Sequence, residues 1–174
     1  MRRLLIVGGR KMNVLICYTS KTGNTKEVAL LIEEAFCSYG HAVKTIDIEH
    51  IFAIESLIHE AHLLLFGSYT WGNGQLPDEM RKLFRFLIKE RNLPLPPVAL
   101  FGTGDQMWPY YCRAVDEMAY HLRKVTTVLG TLKIEQSPRG HQQHLPTVFV
   151  QQLLEEVDRF VIDESKIARA VASK

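Results

Sequence analysis

The sequence predicts a doubly wound α/β fold, in which a five-stranded parallel sheet is covered by helices on both faces. Strand-like and helix-like segments alternate along the 174 residues, which is typical of parallel strands joined by crossover helices. The strand-like segments are apolar throughout, as expected for strands that are buried on both faces. With 47% hydrophobic and 23% charged residues, the chain has the composition and length of one ordinary globular domain.

Three strands are predicted in the first half of the chain, with helical segments between them. Apolar residues recur every three or four positions from Val28 to Phe36, which indicates a helix after the first strand. Gly40 is a good helix terminator because glycine adopts the left-handed conformation without strain. The predicted segments are a strand at 13–18, a helix at 25–38, a strand at 41–48, a short helix or loop at 51–58 and a strand at 62–66.

Two further strands complete the predicted sheet in the second half. The helix before the fourth strand ends at Pro94, Pro96 and Pro97, because proline disrupts a helix interior. The next helix is expected to stop at Gly130, and the short strand after it is expected at an edge of the sheet. The predicted segments are a helix at 77–89, a strand at 98–101, a helix at 110–128, a strand at 132–135 and a helix at 147–171.

Residues 1–11 differ in composition from the rest of the chain. They hold four of the 21 Lys+Arg and none of the 19 Asp+Glu. Without them the chain would have 17 basic and 19 acidic residues, a formal charge of −2 instead of +2. We therefore expect an extension at 1–11, which precedes a natural start at Met12, and a single domain at 12–174.

The composition argues against several kinds of partner. The basic excess is confined to residues 1–11, so it does not indicate nucleic-acid binding. No apolar run approaches the roughly 20 residues of a membrane span, and no membrane partner is expected. Cys17, Cys37 and Cys112 are odd in number and have no CxxC spacing. This pattern argues against a disulfide framework and favours the cytoplasm, where thiols stay reduced.

A hydroxyl-rich turn, Ser20–Thr25, lies between the first strand and the first helix. The first amides of a helix have no partner within it and lie at its positive end, so they form an anion site. Ser20, Thr22 and Thr25 add hydroxyl donors, and Gly23 allows the backbone angles that such a cradle needs. The turn lacks the GxxxxGK and GxGxxG patterns of nucleotide loops and suits a terminal monophosphate. The alternative is a helix that these hydroxyls only cap.

Two later loops carry tryptophans at the same edge of the predicted sheet. GSYTWGNG (67–74) follows the third strand and GTGDQMWPYYC (102–112) follows the fourth. Ligands of doubly wound sheets bind in loops at the carboxyl ends of the strands. A single loop tryptophan usually packs on the core. Trp71 and Trp108 together with an anion cradle suit a flat apolar ring that carries a phosphate tail.

The three loops together resemble those of flavodoxins, which are small FMN-binding electron carriers, and the likeness runs from about Asn13 to Phe160. The resemblance implies a flavodoxin-like fold of the short-chain type, without an insertion in the fifth strand, and non-covalently bound FMN. By this resemblance the FMN phosphate would be held by Ser20, Lys21, Thr22, Gly23, Asn24 and Thr25. The ring would be held by Tyr69, Thr70, Trp71, Gly72 and Asn73 in one loop and by Thr103, Gly104, Asp105, Trp108, Tyr111 and Cys112 in the other.

The resemblance also implies a function, that of a low-potential one-electron carrier between redox proteins, with no catalytic residue and no metal. The expected donor is a flavin or iron–sulfur reductase, the expected acceptor is a low-potential enzyme, and a monomer is expected. Asp105, the aromatic walls and the phosphate would disfavour a negatively charged reduced ring. The Gly72 carbonyl would turn inward on one-electron reduction and accept a hydrogen bond from the ring, a movement that glycine permits sterically.

Two features depart from the family pattern. Many relatives have tyrosine at the position of Trp108, and a tryptophan there keeps the stacking but changes the surroundings of the ring. Flavodoxins are usually strongly acidic, whereas this chain is nearly neutral even when counted from Met12. Docking of partners through a large negative patch is therefore less secure for this chain.

Three alternative functions are compatible with the sequence. The first is an FMN-dependent NAD(P)H reductase of quinones or azo compounds, although two tryptophans over the ring argue against an open substrate pocket. The second is a flavoprotein that activates a ribonucleotide reductase, and the third is a non-redox module that has lost FMN.

Several chemically reactive side chains lie outside these hypotheses. The pair His141 and His144 is interpreted as part of a solvated loop, and Asp78 and Glu79 as acidic residues that suit a helix start. Cys112 is interpreted as a packed residue, with a pKa lowered by the adjacent helix start as the alternative.

Overall fold

Strands and helices alternate along the chain in the computed structural model, which describes residues 10–50 and 53–172, with side chains up to residue 165. In chain order the elements are β1 (Asn13–Tyr18), α1 (Asn24–Ser38), β2 (Ala42–Asp47), α2 (Ile54–Glu60), β3 (Leu63–Tyr69), α3 (Asp78–Phe84), β4 (Val98–Gly104), α4 (Arg113–Leu122), β5 (Val128–Glu135) and α5 (Leu145–Ala172). Single 3₁₀ turns lie at Ile48–His50 and Gly140–Gln142, and α3 continues as a π-helix over Arg85–Glu90.

The strands form one sheet in the order β2-β1-β3-β4-β5. Every neighbouring pair is parallel, and β5 is an edge strand of eight residues whose register shifts by one residue at Leu129. The chain places β2 on one side of β1 and then adds β3, β4 and β5 on the other, so the order reverses between β1 and β3. The predicted doubly wound fold, with helices on both faces of a five-stranded parallel sheet, is confirmed.

Alternation of side chains along each strand divides the core into two apolar layers. One layer lies between the sheet and helices α1 and α5, and the other between the sheet and helices α2, α3 and α4. Neighbouring residues such as Leu64 and Leu65 contribute to opposite layers, and both are fully buried. Burial on both faces explains why the strands are apolar throughout.

The helix and strand on either side of Gly130 differ from the prediction. Helix α4 begins at Arg113 and ends at Leu122, and Gly130 lies inside β5, opposite Ala99. A Cβ atom on Gly130 would lie 3.1 Å from Leu153 Cδ2 and 3.3 Å from a ring carbon of Phe149. The glycine therefore allows α5 to pack closely on β5, and the prediction that it ends a helix is wrong.

Smaller differences occur at other element ends. Strands β3 and β4 extend to Tyr69 and Gly104, because their pairing continues as far as Tyr69 opposite Thr103. The helix predicted at 77–89 is present, but its second half is a π-helix. Gly40 follows α1 with φ +84°, and its N–H donates to the carbonyl of Cys37 (2.9 Å), as expected of a helix terminator.

The terminal extension stays a prediction, because residues 1–9 lie outside the described residues and only the exposed Arg10 and Lys11 lie within them. Residues 51 and 52, the start of the predicted segment 51–58, lie outside them as well. None of the described helices combines the length and apolar character needed to cross a membrane.

The parallel strands bring three loops to one edge of the sheet. The N–H of Thr19, after β1, donates to the carbonyl of Gly67 in β3 (3.0 Å). The N–H of Thr70, after β3, donates to the carbonyl of Thr103 in β4 (3.3 Å). The loops after β1, β3 and β4 therefore start side by side, at the reversal of strand order where ligands of such folds bind.

We predict that Gly67→Ala destabilises the protein. Gly67 pairs directly with Phe101, and an added Cβ would lie 2.1 Å from a carbon of that fully buried ring. Overpacking of this kind costs roughly 1–3 kcal/mol, which urea denaturation can measure. In a double-mutant cycle with Phe101→Leu, we expect the added methyl to cost less, because the ring that it meets is gone. Additive losses would contradict the proposed clash.

Candidate functional site

The turn after β1 is organised by one hydroxyl group. Ser20 Oγ accepts the N–H of Gly23 and the N–H of Lys26, both at 3.2 Å. Gly23, with φ +94°, is the N-cap residue of α1. The amides of Asn24 and Thr25 lie in the first turn, where a helix offers no internal acceptor. The turn is therefore both a capped helix and a source of outward-facing amides.

Thr25 braces the site from below. Its side chain is buried, and its hydroxyl bonds the hydroxyl of Thr103 at 2.8 Å. This contact joins the start of α1 to the end of β4, 78 positions away in the chain. Thr25 is therefore a structural link beneath the site, and its hydroxyl is already used.

A cleft of about 620 Å³ opens above these elements. It joins the turn after β1 to the loops after β3 and β4, as the sequence predicted for the three loops. The predicted residues that line it are Lys21, Thr22, Asn24, Tyr69, Thr70, Trp71, Gly72, Asn73, Thr103, Gly104, Asp105 and Trp108. Ser20, Gly23, Thr25, Tyr111 and Cys112, which were also predicted as site residues, do not line it.

The apolar walls of the cleft are accessible to solvent. Trp71 is 46% exposed and Trp108 is 68% exposed. The Lys21 ammonium lies 3.4 Å from the centre of the Trp71 ring, a cation–π contact between the first and second loops. Two exposed indoles in a cleft that also presents hydroxyls and helix amides fit a flat ring with an anionic tail.

The loop that carries Trp71 is a closed turn. The N–H of Trp71 donates to the carbonyl of Gln75 (2.9 Å), and the Trp71 carbonyl accepts from Gly74 (3.1 Å) and Gln75 (2.8 Å). Gly72 has φ +49°, and no atom lies within 4 Å of where its Cβ would be. Glycine is required there by backbone conformation rather than by crowding.

Asp105 is held in place by one residue of its own loop and by one residue that follows β5. Its carboxylate accepts from the N–H of Met107 (2.8 Å) and from the side-chain amide of Gln136 (3.2 Å). Gln136 follows β5, and its own N–H donates to the carbonyl of Gly104 (2.7 Å). The Asp105 carboxylate therefore has a fixed orientation at the cleft margin.

Sequence reasoning missed two residues of the cleft, Tyr110 and Gln136. Gln136 follows the strand next to β4, so the rule that placed the other loops at this edge applies equally to it. Tyr110 lies against Gly74, where an added Cβ would come within 2.5 Å of the tyrosine Cβ. No sequence signal separates Tyr110 from its neighbour Tyr111, because both lie in an irregular loop.

Tyr111 and Cys112 belong to the apolar layer beneath α4. Tyr111 is half-buried against that layer, and Cys112 is fully buried within it. The Cys112 thiol lies 3.7 Å from the carbonyl oxygen of Gly102 and 3.6 Å from that of Ile134. Burial raises the pKa of this thiol to about 11. Cys112 is therefore a packed residue, and the alternative of a lowered pKa is wrong.

Glu79 connects the first two loops from the start of α3. One of its carboxylate oxygens, Oε1, accepts the hydroxyl of Thr19 (2.8 Å) and the hydroxyl of Tyr69 (3.1 Å). Burial, followed by this hydrogen bond and the carboxylate charge, raises the pKa of Tyr69 to about 12. The Tyr69 ring packs edge-on to Trp71, with ring centres 6.2 Å apart. The sequence had suggested for Glu79 only a favourable charge at a helix start.

The two histidines set aside by the sequence analysis, His141 and His144, are exposed near the 3₁₀ turn before α5. Within the described part of the chain, no three histidine, cysteine or acidic side chains are grouped so that they could hold a metal ion.

Comparison with known proteins identifies a family, relatives by sequence and a similar solved structure. Residues 16–145 match the sequence profile of the family described as Flavodoxin. A flavodoxin from Nitratidesulfovibrio vulgaris (strain DSM 19637 / Miyazaki F) is 36% identical over 131 residues, covering 73% of this chain and 87% of that protein. Probable flavodoxin 1 from Bacillus subtilis (strain 168) is 33% identical over 126 residues, covering 71% and 78%. The crystal structure of oxidised flavodoxin 2 from Bacillus cereus matches with a TM-score of 0.74 at 32% identity, covering 83% and 99%.

We predict that Glu79→Gln lowers the pKa of Tyr69 below about 12, because a neutral amide no longer repels the phenolate. The pKa stays above the usual tyrosine value, since burial is the larger cause of the shift. Ultraviolet titration measures it, and subtraction of the Tyr69→Phe titration isolates this tyrosine from the other five. Asp78→Asn is the matched control, with a smaller effect expected. Equal shifts in both variants would show that the Glu79 hydrogen bond is not the cause.

Proposed function

The chain belongs to the flavodoxin family, and from this premise we propose that it is a low-potential one-electron carrier that shuttles electrons between redox proteins. Flavodoxins bind FMN and transfer electrons to redox partners, so the chain is an electron-transfer protein and not an enzyme. The observation that supports the proposal best is the cleft itself, in which two exposed tryptophans and the start of α1 meet.

The phosphate of FMN would be bound at the start of α1. Thr22 and Asn24 line the cleft there, and the amides of the first helical turn are donors without an internal partner. Ser20 and Gly23 shape the turn, and the Ser20 hydroxyl, which accepts two amides, still has its own hydrogen to donate to the phosphate. Thr25 supports the turn from below through its hydrogen bond to Thr103. Lys21 contacts Trp71, and its charge favours an anion nearby.

The flavin ring would lie between the loops after β3 and β4. Trp71 and Trp108 supply its apolar walls, while Thr103, Gly104 and Asp105 supply polar atoms along one edge. Tyr69, Thr70 and Asn73 line the remainder. When bound, FMN supplies reversible one- and two-electron chemistry, and the protein around it sets the potential.

The residues of the cleft would disfavour negative charge on the ring. The Asp105 carboxylate repels such charge, and the indole walls exclude the water that would solvate it. The Gln136 amide holds the carboxylate in one orientation. Lys21 acts in the opposite direction, but it is exposed to solvent, which screens its charge. The balance supports a low potential.

The turn at Gly72 would adapt to the redox state. The Trp71 carbonyl accepts the hydrogen bonds that close the turn, which leaves the Gly72 carbonyl as the acceptor that we propose for a ring N–H. The positive φ of Gly72 favours a residue without a Cβ at this position, and the open space around it leaves room for the turn to change conformation.

The partners that we propose are a flavin or iron–sulfur reductase as donor and a low-potential enzyme as acceptor, with the carrier acting as a monomer in the cytoplasm. The free thiols of Cys17, Cys37 and Cys112 are consistent with a reducing compartment. An NAD(P)H-dependent quinone or azo reductase and a ribonucleotide reductase activator are not favoured, since two relatives that match over most of their own length are named flavodoxins.

The proposed function predicts donor-dependent transfer of single electrons. The purified protein, reconstituted with FMN, should carry electrons from NADPH and ferredoxin–NADP⁺ reductase to cytochrome c, which accepts one electron at a time. The rate of cytochrome reduction should rise in proportion to the added protein. Oxidation of NADPH by the protein alone, with a quinone or an azo dye as acceptor, would instead indicate a reductase. Failure to bind FMN would indicate a module that has lost its cofactor.

The proposed phosphate site predicts a difference between FMN and riboflavin, which lacks the phosphate. In the double variant Thr22→Ala/Asn24→Ala we expect FMN to bind about tenfold or more weakly, as for the loss of one or two charge-assisted hydrogen bonds. Riboflavin binding should change little. Quenching of flavin fluorescence measures both affinities, and Thr131→Ala, an exposed position on β5, is the control. An equal loss for both flavins would place the two side chains away from the phosphate.

A further inference from the structure

A groove of about 450 Å³ lies between α3 and α4, on the sheet face opposite α1 and α5. Arg81, Arg85 and Lys89 follow one another at four-residue spacing along α3 and its π-helical continuation, and all three line the groove. Lys124 lines it from the end of α4. We call this feature the basic groove.

The acidic groups near the basic groove do not neutralise it. Asp78 pairs with Arg81, and Glu117 points its carboxylate at the N–H of Leu76 (3.2 Å). Arg85 and Lys89 form no ion pair with any residue that the structure describes. The four cations of the groove, Arg81, Arg85, Lys89 and Lys124, outnumber the carboxylates of Asp78 and Glu117, so the groove keeps a net positive charge although the whole chain is close to neutral.

The interior of the basic groove is apolar. Leu76 and Phe84 are buried at its base, Ile88 is half-buried, and Val125 is 44% exposed. An apolar base with cations at its margins has the composition that is usual for a protein interface, with an apolar centre and a polar rim. Nucleic acid fits less well, because the apolar base would have no partner in a phosphate backbone.

The basic groove adjoins the cleft where FMN would bind. Glu117 bonds the amide of Leu76, and the preceding residue, Gln75, is bridged to Trp71. On the α4 side, the guanidinium of Arg113 lies 5.2 Å from the ring centre of Tyr110 at the cleft margin. The Leu76 end of the groove therefore lies beside the loops that would surround the flavin, and the groove extends from there along α3 and α4 toward Lys89 and Lys124.

We propose that the basic groove is a docking surface for the acidic face of a redox partner protein. This inference rests on the proposed electron-carrier function and specifies the sign of the partner's charge. The carrier presents arginines and lysines beside an apolar strip, and the partner presents carboxylates. Such complementarity acts mainly on the rate of association and is weakened by salt.

Two haem proteins of opposite charge serve as probes, the soluble domain of cytochrome b5, which is acidic, and cytochrome c, which is basic. The FMN-loaded protein is reduced with dithionite, and the excess is removed. Each transfer then takes one electron from the reduced protein and converts one ferric haem to the ferrous state. The matched variants are Arg85→Glu/Lys89→Glu in the groove and Lys44→Glu/Arg159→Glu at exposed positions on β2 and α5, away from the groove. Both variants change the net charge equally.

We expect the groove variant to transfer electrons to cytochrome b5 about tenfold more slowly than the unchanged protein at low salt. The difference should shrink as salt is added. Transfer to cytochrome c should not slow, and the control variant should behave like the unchanged protein. Equal effects of the two variants on cytochrome b5 would overturn the proposal, because net charge rather than the groove would then be responsible.

A binding measurement tests the groove separately from electron transfer. In NMR titrations of the oxidised protein with cytochrome b5, we expect the largest shifts at Arg85, Lys89 and Lys124. Shifts centred elsewhere, tighter binding of duplex DNA than of cytochrome b5, or self-association through the groove in sedimentation would each overturn the proposal. If neither cytochrome is reduced but cytochrome b5 still binds at the groove, the electron-carrier function fails and the docking surface stands.

Discussion

The parallel register of β1, β3 and β4 is the constraint on which the cleft depends. Gly67 lies opposite Tyr18 and Phe101 at once. Strand β1 ends at this level, β3 ends two residues further at Tyr69, and β4 ends one residue beyond the partner of Tyr69. The loop after each strand therefore begins at the same edge of the sheet. The anion cradle, the Trp71 loop and the Asp105 loop meet because of this pairing, although they are dispersed over most of the chain. The pairing of β3 with β4 also depends on Gly67, because a side chain at this position would collide with the Phe101 ring.

Side-chain hydrogen bonds hold the three loops at fixed distances from one another. The Thr25–Thr103 hydrogen bond ties the first loop to the third, and the carboxylate of Glu79 ties the first loop to the second. These contacts are partly or fully buried, where a hydrogen bond left without a partner is costly. They therefore limit how far the cradle and the aromatic walls can move apart. Such preorganisation reduces the free energy that ligand binding must spend on ordering the loops.

The distribution of charge on this chain differs from what its net charge suggests. The described surface near the first two loops carries Glu49, Asp78 and Glu79, whereas the basic groove lies on the other side of α3. Long-range steering depends on where the charges lie, so a formal charge near zero is compatible with strong local preferences.

The sequence by itself determined the order of strands and helices, the parallel sheet and the three loops that form the cleft. These features are encoded locally, by apolar runs, helical spacing and turn residues. The edge of the sheet at which the three loops meet follows from the parallel topology. Only the tertiary structure decided which loop residues face the cleft. Tyr110 and Gln136 line it while Tyr111 and Cys112 do not, because irregular backbone has no periodicity from which side-chain direction can be predicted. The role of Gly130 was decided in the same way, since only the approach of α5 shows why a side chain is excluded there. The basic groove likewise needs two helices that are distant in sequence to lie side by side.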